Sequence, residues 1–287
     1  MGDYRFLRFP GGKAKAVTLS YDDGCKHDIR FSEIISKYGL KCTFNLCDMG
    51  KENDSWRMSK EEIIKNIVEK GHEIAVHGIR HKAEGTARPI EGIRDVLDCR
   101  LELENAFGTI IRGMAYPDAG ITYFANNATY EQIKNYLTEL DIVYSRTLGG
   151  DNTSFELPQD WHCWMPTAHH CNPKIMEYID EFLKLDLSPE AYHARRAPAL
   201  FYLWGHSFEF DGANNWDLLE NICDKLSGHD EIWYATNIEI YDYVQAYNSL
   251  VFSADTKIIY NPTLIDVWFD IEGTLYCIKS GETLKFS

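Results

Sequence analysis

Strand-like and helix-like runs alternate from residue 16 to residue 248, and that alternation limits the fold of this chain more than any other feature. A short apolar or β-branched run reads as a buried strand, and an apolar stripe at helical spacing reads as a helix packed on it. The first strand covers 16–21 and the second 41–47, KCTFNLC. Between them Ile29, Ile34, Ile35 and Tyr38 share one helix face, which stops at Gly39. Ser59 and Glu62 make a capping box ahead of Ile63, Ile64, Ile67 and Val68, and EIAV, 73–76, is a third strand. Further strands are read at 110–115, 142–147, 199–204 and 232–236, with helices at 91–107, 129–140, 173–185, 214–227 and about 238–248. A long loop, 148–172, interrupts the series.

Such repeated units require a parallel sheet with crossover helices, and 287 residues suit one large domain. The predicted fold class is α/β: an irregular parallel (β/α) barrel of about seven β/α units, favoured at this length over an open doubly wound sheet. Past residue 251 the helices cease, and Val251-Phe252, Ile258-Ile259-Tyr260, Val267-Trp268-Phe269 and Leu275-Tyr276-Cys277-Ile278 are short β runs. The chain therefore divides into a barrel, 1–250, and a small C-terminal β appendage, 251–287. The appendage could cover the barrel end, mediate a homo-oligomer or lengthen a substrate groove.

A hydrophobic content of 45% allows a sizeable core, and a formal charge of −15 argues against nucleic acid or an anionic membrane as partner. Eight cysteines form no C-x-x-C pair. MGDYRFLRFP lacks the apolar segment of a secretory signal, and Phe6 stands where a myristoylation motif needs Ser or Thr. No stretch is long and apolar enough to span a bilayer. The expectation is a cytoplasmic protein with reduced thiols, in which Cys25 is a small apolar filler.

Chemistry gathers at the carboxyl ends of the strands, where barrel enzymes place it. TLSYDDG, 18–24, ends the first strand with Asp22, Asp23 and a chain-reversing Gly24. The third strand runs into His77, and His81 follows in HGIRH. One Asp with two His suits a divalent cation with open positions, and a cation explains the adjacent carboxylates: one binds it, and its charge keeps the other ionised. RGMAYP, 112–117, supplies Arg112, Tyr116 and Pro117, and YLWGHS, 202–207, supplies His206. These are the parts of a metal-dependent hydrolase. A surface ion pair at Arg112 and a hydrogen-bonded core histidine at 206 are the plainer readings.

These residues resemble the polysaccharide deacetylases of carbohydrate esterase family 4. The family's first motif stands here as Ser20-Tyr21-Asp22-Asp23-Gly24, its second as His77-Gly78-Ile79-Arg80-His81, its third as Arg112 with Tyr116-Pro117 and its fifth at His206. The resemblance covers about 16–240. It implies Asp23, His77 and His81 as ligands of Zn2+, or of another divalent metal such as Co2+, Ni2+ or Mn2+. It also implies Asp22 as the general base toward the water that the metal activates, Arg112 as its orienting partner, the Tyr116 backbone N–H as an oxyanion donor and His206 as the acid. The fourth motif, an Asp and a Trp beside the acid, has candidates in Asp160-Trp161 or Trp164, and His169 or His170 could also reach the pocket. Gly78 and Trp204 depart from the family's Ser/Thr and Leu.

The implied activity is removal of acetyl groups from N- or O-acetylated sugars or oligosaccharides. A related amidohydrolase opening a non-sugar amide or ureide such as allantoin is the second reading. An inactive glycan-binding protein is the third.

Overall fold

The computed structural model describes residues 4–50, 54–192 and 196–286. Residues 1–3 of the N-terminal segment read for targeting signals, and Ser287 at the end of the appendage, lie outside them.

The strands and helices alternate as the hydrophobic pattern requires. After β1 (Arg5–Arg8) come β2 (Lys15–Asp22), α1 (His27–Lys37), β3 (Cys42–Leu46), α2 (Lys60–Ile63), β4 (Glu73–Val76), α3 (Pro89–Phe107), β5 (Gly113–Ala115), α4 (Tyr130–Glu139) and β6 (Tyr144–Arg146). The chain continues through β7 (Ala168–His169), α5 (Ile175–Leu183), β8 (Ala199–Gly205), α6 (Ser207–Gly212), α7 (Trp216–Leu226), β9 (Ile232–Tyr234) and α8 (Asn237–Asn248). The Ser59–Glu62 capping box opens α2, which passes into a π-helical turn at Ile64–Val68.

One parallel sheet runs in the order β6-β5-β4-β3-β2-β8-β7, with β9 beside the first half of β2 and β3 beside its second half. All eight residues of β2 are buried, so the central strand is covered on both faces along its whole length up to Asp22. The segment leading into β7 touches both edges of the sheet: Trp164 bridges Arg146 in parallel, and Ala168 pairs with Leu203. The sheet is thereby a curled, irregular (β/α) barrel, with the helices packed outside against Val17, Leu19, Phe44, Val76, Met114 and Phe201. Because its strands are parallel, all their carboxyl ends meet at one face.

Strands β10 (Val251–Phe252), β11 (Ile258–Tyr260), β12 (Val267–Ile271), β13 (Thr274–Ile278) and β14 (Thr283–Lys285) form two three-stranded sheets around Ile259, Val267, Phe269 and Ile278. The appendage takes one strand from the other end of the chain, since β1 pairs antiparallel with β12. No described helix is long and apolar enough to cross a membrane.

Candidate active site

Asp22 ends β2 and is almost fully buried. Its Oδ1 accepts from Asn45 Nδ2 at 2.8 Å, and its Oδ2 receives the Arg146 guanidinium at the end of β6. Burial alone would push this carboxyl up, but Arg146, His77 and His206 hold it below the ordinary carboxylate value. Arg146 is itself buried, and its guanidinium lies over the Trp204 ring at 4.4 Å. The Trp that departs from the family pattern is thus the seat of the cation on Asp22.

The chain turns sharply after Asp22. Asp23 has a positive φ of 82° and gives its N–H to Asn45 O at 3.0 Å, and both carboxylates come within 3.8 Å of His77 Nε2. Asp23 Oδ1 lies 3.8 Å from His77 Nε2 and 3.6 Å from His81 Nε2. His77 donates from Nδ1 to Ala115 O at 2.9 Å, which leaves its Nε2 lone pair facing Asp23. Burial outweighs the two neighbouring carboxylates and lowers the His77 pKa, keeping the ring neutral as a ligand needs. A neutral imidazole with a braced far nitrogen, a second imidazole and a carboxylate fit a divalent cation.

The His77–His81 loop lacks the usual hydroxyl because Gly78 leaves no room for one. Gly78 has a φ of +69°, and a Cβ there would meet Asp95 Oδ2 at 2.4 Å. Asp95 of α3 braces the loop instead, its Oδ1 accepting from Arg80 N at 3.0 Å and Arg80 Nε at 2.8 Å.

His206 follows β8, next to β2 in the sheet, and its Nε2 lies 3.9 Å from Asp22 Oδ2. Glu209, three residues on, accepts from the His206 backbone N–H at 3.1 Å and faces His206 Nδ1 at 3.5 Å. Burial lowers the affinity of His206 for a proton, but Glu209 and Asp22 outweigh it and raise its pKa. His169 and His170 reach the same carboxylate, at 3.2 and 3.4 Å. The donors of His169, His170, Cys171 and Glu209 lie within 4.8 Å of one another. However, His169 Nδ1 accepts from Cys171 N at 3.1 Å, which puts the ring proton on Nε2, facing Glu209. Three imidazoles thus crowd around the Glu209 carboxylate.

Three expectations are corrected. Arg112 precedes β5, which begins only at Gly113, so it sits at the opposite end of the barrel and binds Asp242 at 2.6 and 2.8 Å. The Tyr116 N–H donates to Arg146 O at 3.1 Å within the sheet and is not free for an oxyanion; its hydroxyl donates to His162 O. Asp160 caps a short 3-10 turn and binds Tyr130 and Lys134, in a cavity shared with Ile142, Val143 and Tyr241 near the start of β6. Trp161 and Trp164 pack on Tyr241, Tyr144 and Tyr202 rather than beside His206. Cys25 is buried against Ser207, and burial pushes its thiol up to about 12.

Residues 10–144 match the polysaccharide deacetylase family model. Two solved structures show the same fold. A Mycobacterium smegmatis chain assigned as a polysaccharide deacetylase is 17% identical with a TM-score of 0.53, over 84% of this chain and 94% of that one. The Xyl-CE4 domain of a multidomain xylanase from the hindgut metagenome of Trinervitermes trinervoides is 14% identical with a TM-score of 0.51, over 82% of this chain and 92% of that one.

Proposed function

We propose that this chain is a member of the polysaccharide deacetylase family and a metal-dependent hydrolase that removes acetyl groups from N- or O-acetylated sugars. The observation that carries the reading is the continuous set of groups at one barrel end, from Asp23, His77 and His81 through Asp22 to His206. Asp23, His77 and His81 would hold zinc or a similar divalent cation. When bound, the cation supplies Lewis acidity toward the acyl oxygen and toward water.

The chain's own groups do the rest. Asp22, kept ionised by Arg146 and fixed by Asn45, accepts a proton at the edge of the ligand set. His206, whose affinity for a proton Glu209 and Asp22 raise, gives a proton to the departing sugar oxygen or nitrogen. The base and the acid stand 3.9 Å apart, so the proton taken up by one is within short reach of the other. Arg146 and Glu209 act through these two groups and are positioning residues.

Zinc-loaded protein should release acetate from N-acetylglucosamine oligomers or acetylxylan, and chelated protein should lose and then regain that activity with zinc or cobalt. His77→Ala should abolish both metal uptake and turnover. Hydrolysis of allantoin with no acetate release from either glycan would replace this reading with the amidohydrolase one.

A further inference from the structure

A proton donated by His206 must land on the leaving atom, so the saccharide lies against whatever surface continues outward from that imidazole. Two rings form this surface. The Phe208 ring lies 5.2 Å from the His206 imidazole, centroid to centroid, and the Trp56 ring lies 5.3 Å from Phe208. On another side of His206, Trp204 is 6.0 Å away and has Arg146 over its ring. Phe208 is half-buried, whereas Trp56 is 44% exposed.

The exposure of Trp56 does not come from a loose backbone. Its carbonyl accepts from Lys26 N at 2.7 Å, its N–H donates to Asp54 Oδ1 at 2.7 Å, and Met58 N donates to Gly24 O at 3.0 Å. Those bonds tie it to the residues directly after Asp22 and Asp23. A polar rim adjoins it: His27 meets the ring at 6.1 Å and lies 3.4 Å from Asp211. A large ring fixed half in water beside a reaction centre, with polar groups at its edge, has the character of a ligand platform.

We infer that Phe208 and Trp56 are the platform for sugar units on the leaving side, with the acetylated pyranose against Phe208 and its neighbour against Trp56. The Phe208 and Trp56 rings lie side by side at 5.3 Å, so two linked sugar units can each meet one ring, and the C–H face of a pyranose suits an aromatic ring. This inference rests on the deacetylase reading and narrows its substrate to an oligosaccharide of at least two units.

The test compares acetate release by the zinc-loaded full chain from N-acetylglucosamine and from N,N′-diacetylchitobiose. The wild type should prefer the disaccharide in kcat/KM. Trp56→Ala should cut the disaccharide-to-monosaccharide ratio about tenfold, mainly through KM. Trp56→Phe, which keeps an aromatic face and the loop, should retain most of the preference. An unchanged ratio in Trp56→Ala, or an equal loss on both substrates, overturns the platform and leaves the deacetylase reading standing. No acetate from either sugar or from acetylxylan with the wild type overturns the deacetylase reading and the platform with it.

Discussion

The Asp22 carboxylate and the His206 imidazole stand 3.9 Å apart, Oδ2 to Nε2, although 184 positions separate them in the chain (206 − 22). The sheet register makes them neighbours: Tyr21 pairs with Gly205 in the parallel β2–β8 ladder, so each strand's next residue emerges at the same level. The two groups are tuned in opposite senses. Arg146 holds the carboxyl down, and Glu209 with Asp22 raises the imidazole.

That opposition predicts a pH profile. The acid works only when protonated, so kcat/KM falls as pH rises through the His206 value, which lies above the ordinary histidine value. Glu209→Gln keeps the helix cap but removes the charge. The alkaline limb should move down by about one pH unit. A limb that stays in place would remove Glu209 from this role.

Arg146 and Arg112 give a paired prediction. Arg146→Met leaves a buried carboxylate without its cation, which should cost about 3–5 kcal/mol of stability. It should also lower kcat about a hundredfold at neutral pH and move the acid limb upward, because the base must be ionised to act. Arg112→Met breaks only a half-exposed pair with Asp242, worth about 0.2–1 kcal/mol, with no change in the pH profile. Urea unfolding and pH–rate curves on both variants decide it.

Gly78→Ala probes the bracing of the ligand loop. The substitution imposes a side chain at a φ of +69° and drives its Cβ to 2.4 Å from Asp95 Oδ2. Strain of about 1–2 kcal/mol should appear as roughly tenfold weaker metal affinity in a chelator competition. Equal affinities would show that the loop gives way freely.

Much of this was legible in the chain. Asp22, Asp23, His77 and His206 stand where an apolar run stops, with His81 one short loop beyond His77, and parallel strands must deliver such positions to one face. Arg112 misled because RGMAYP looks like the end of a long strand, whereas β5 starts one residue after it. The run 142–147 also ends in a buried strand arginine, and the strand-end rule applied there points to Arg146. Glu209 is hidden because α6 has only six residues, too few to show a helical stripe; the spacing of His206 and Glu209 is that of an N-terminal cap. The contribution of β1 to the appendage has no local signal at all, since a four-residue strand declares its partner only through tertiary pairing.

On the proposed function, Asp23, His77 and His81 would grip the cation while Asp22 beside them moves the proton. Measuring metal content and kcat together on Asp22→Asn tests it most directly. The variant should retain one equivalent of metal with kcat at least about a hundredfold lower; a fully active Asn variant, or a wild type that takes up no metal when supplied with zinc, would contradict these roles.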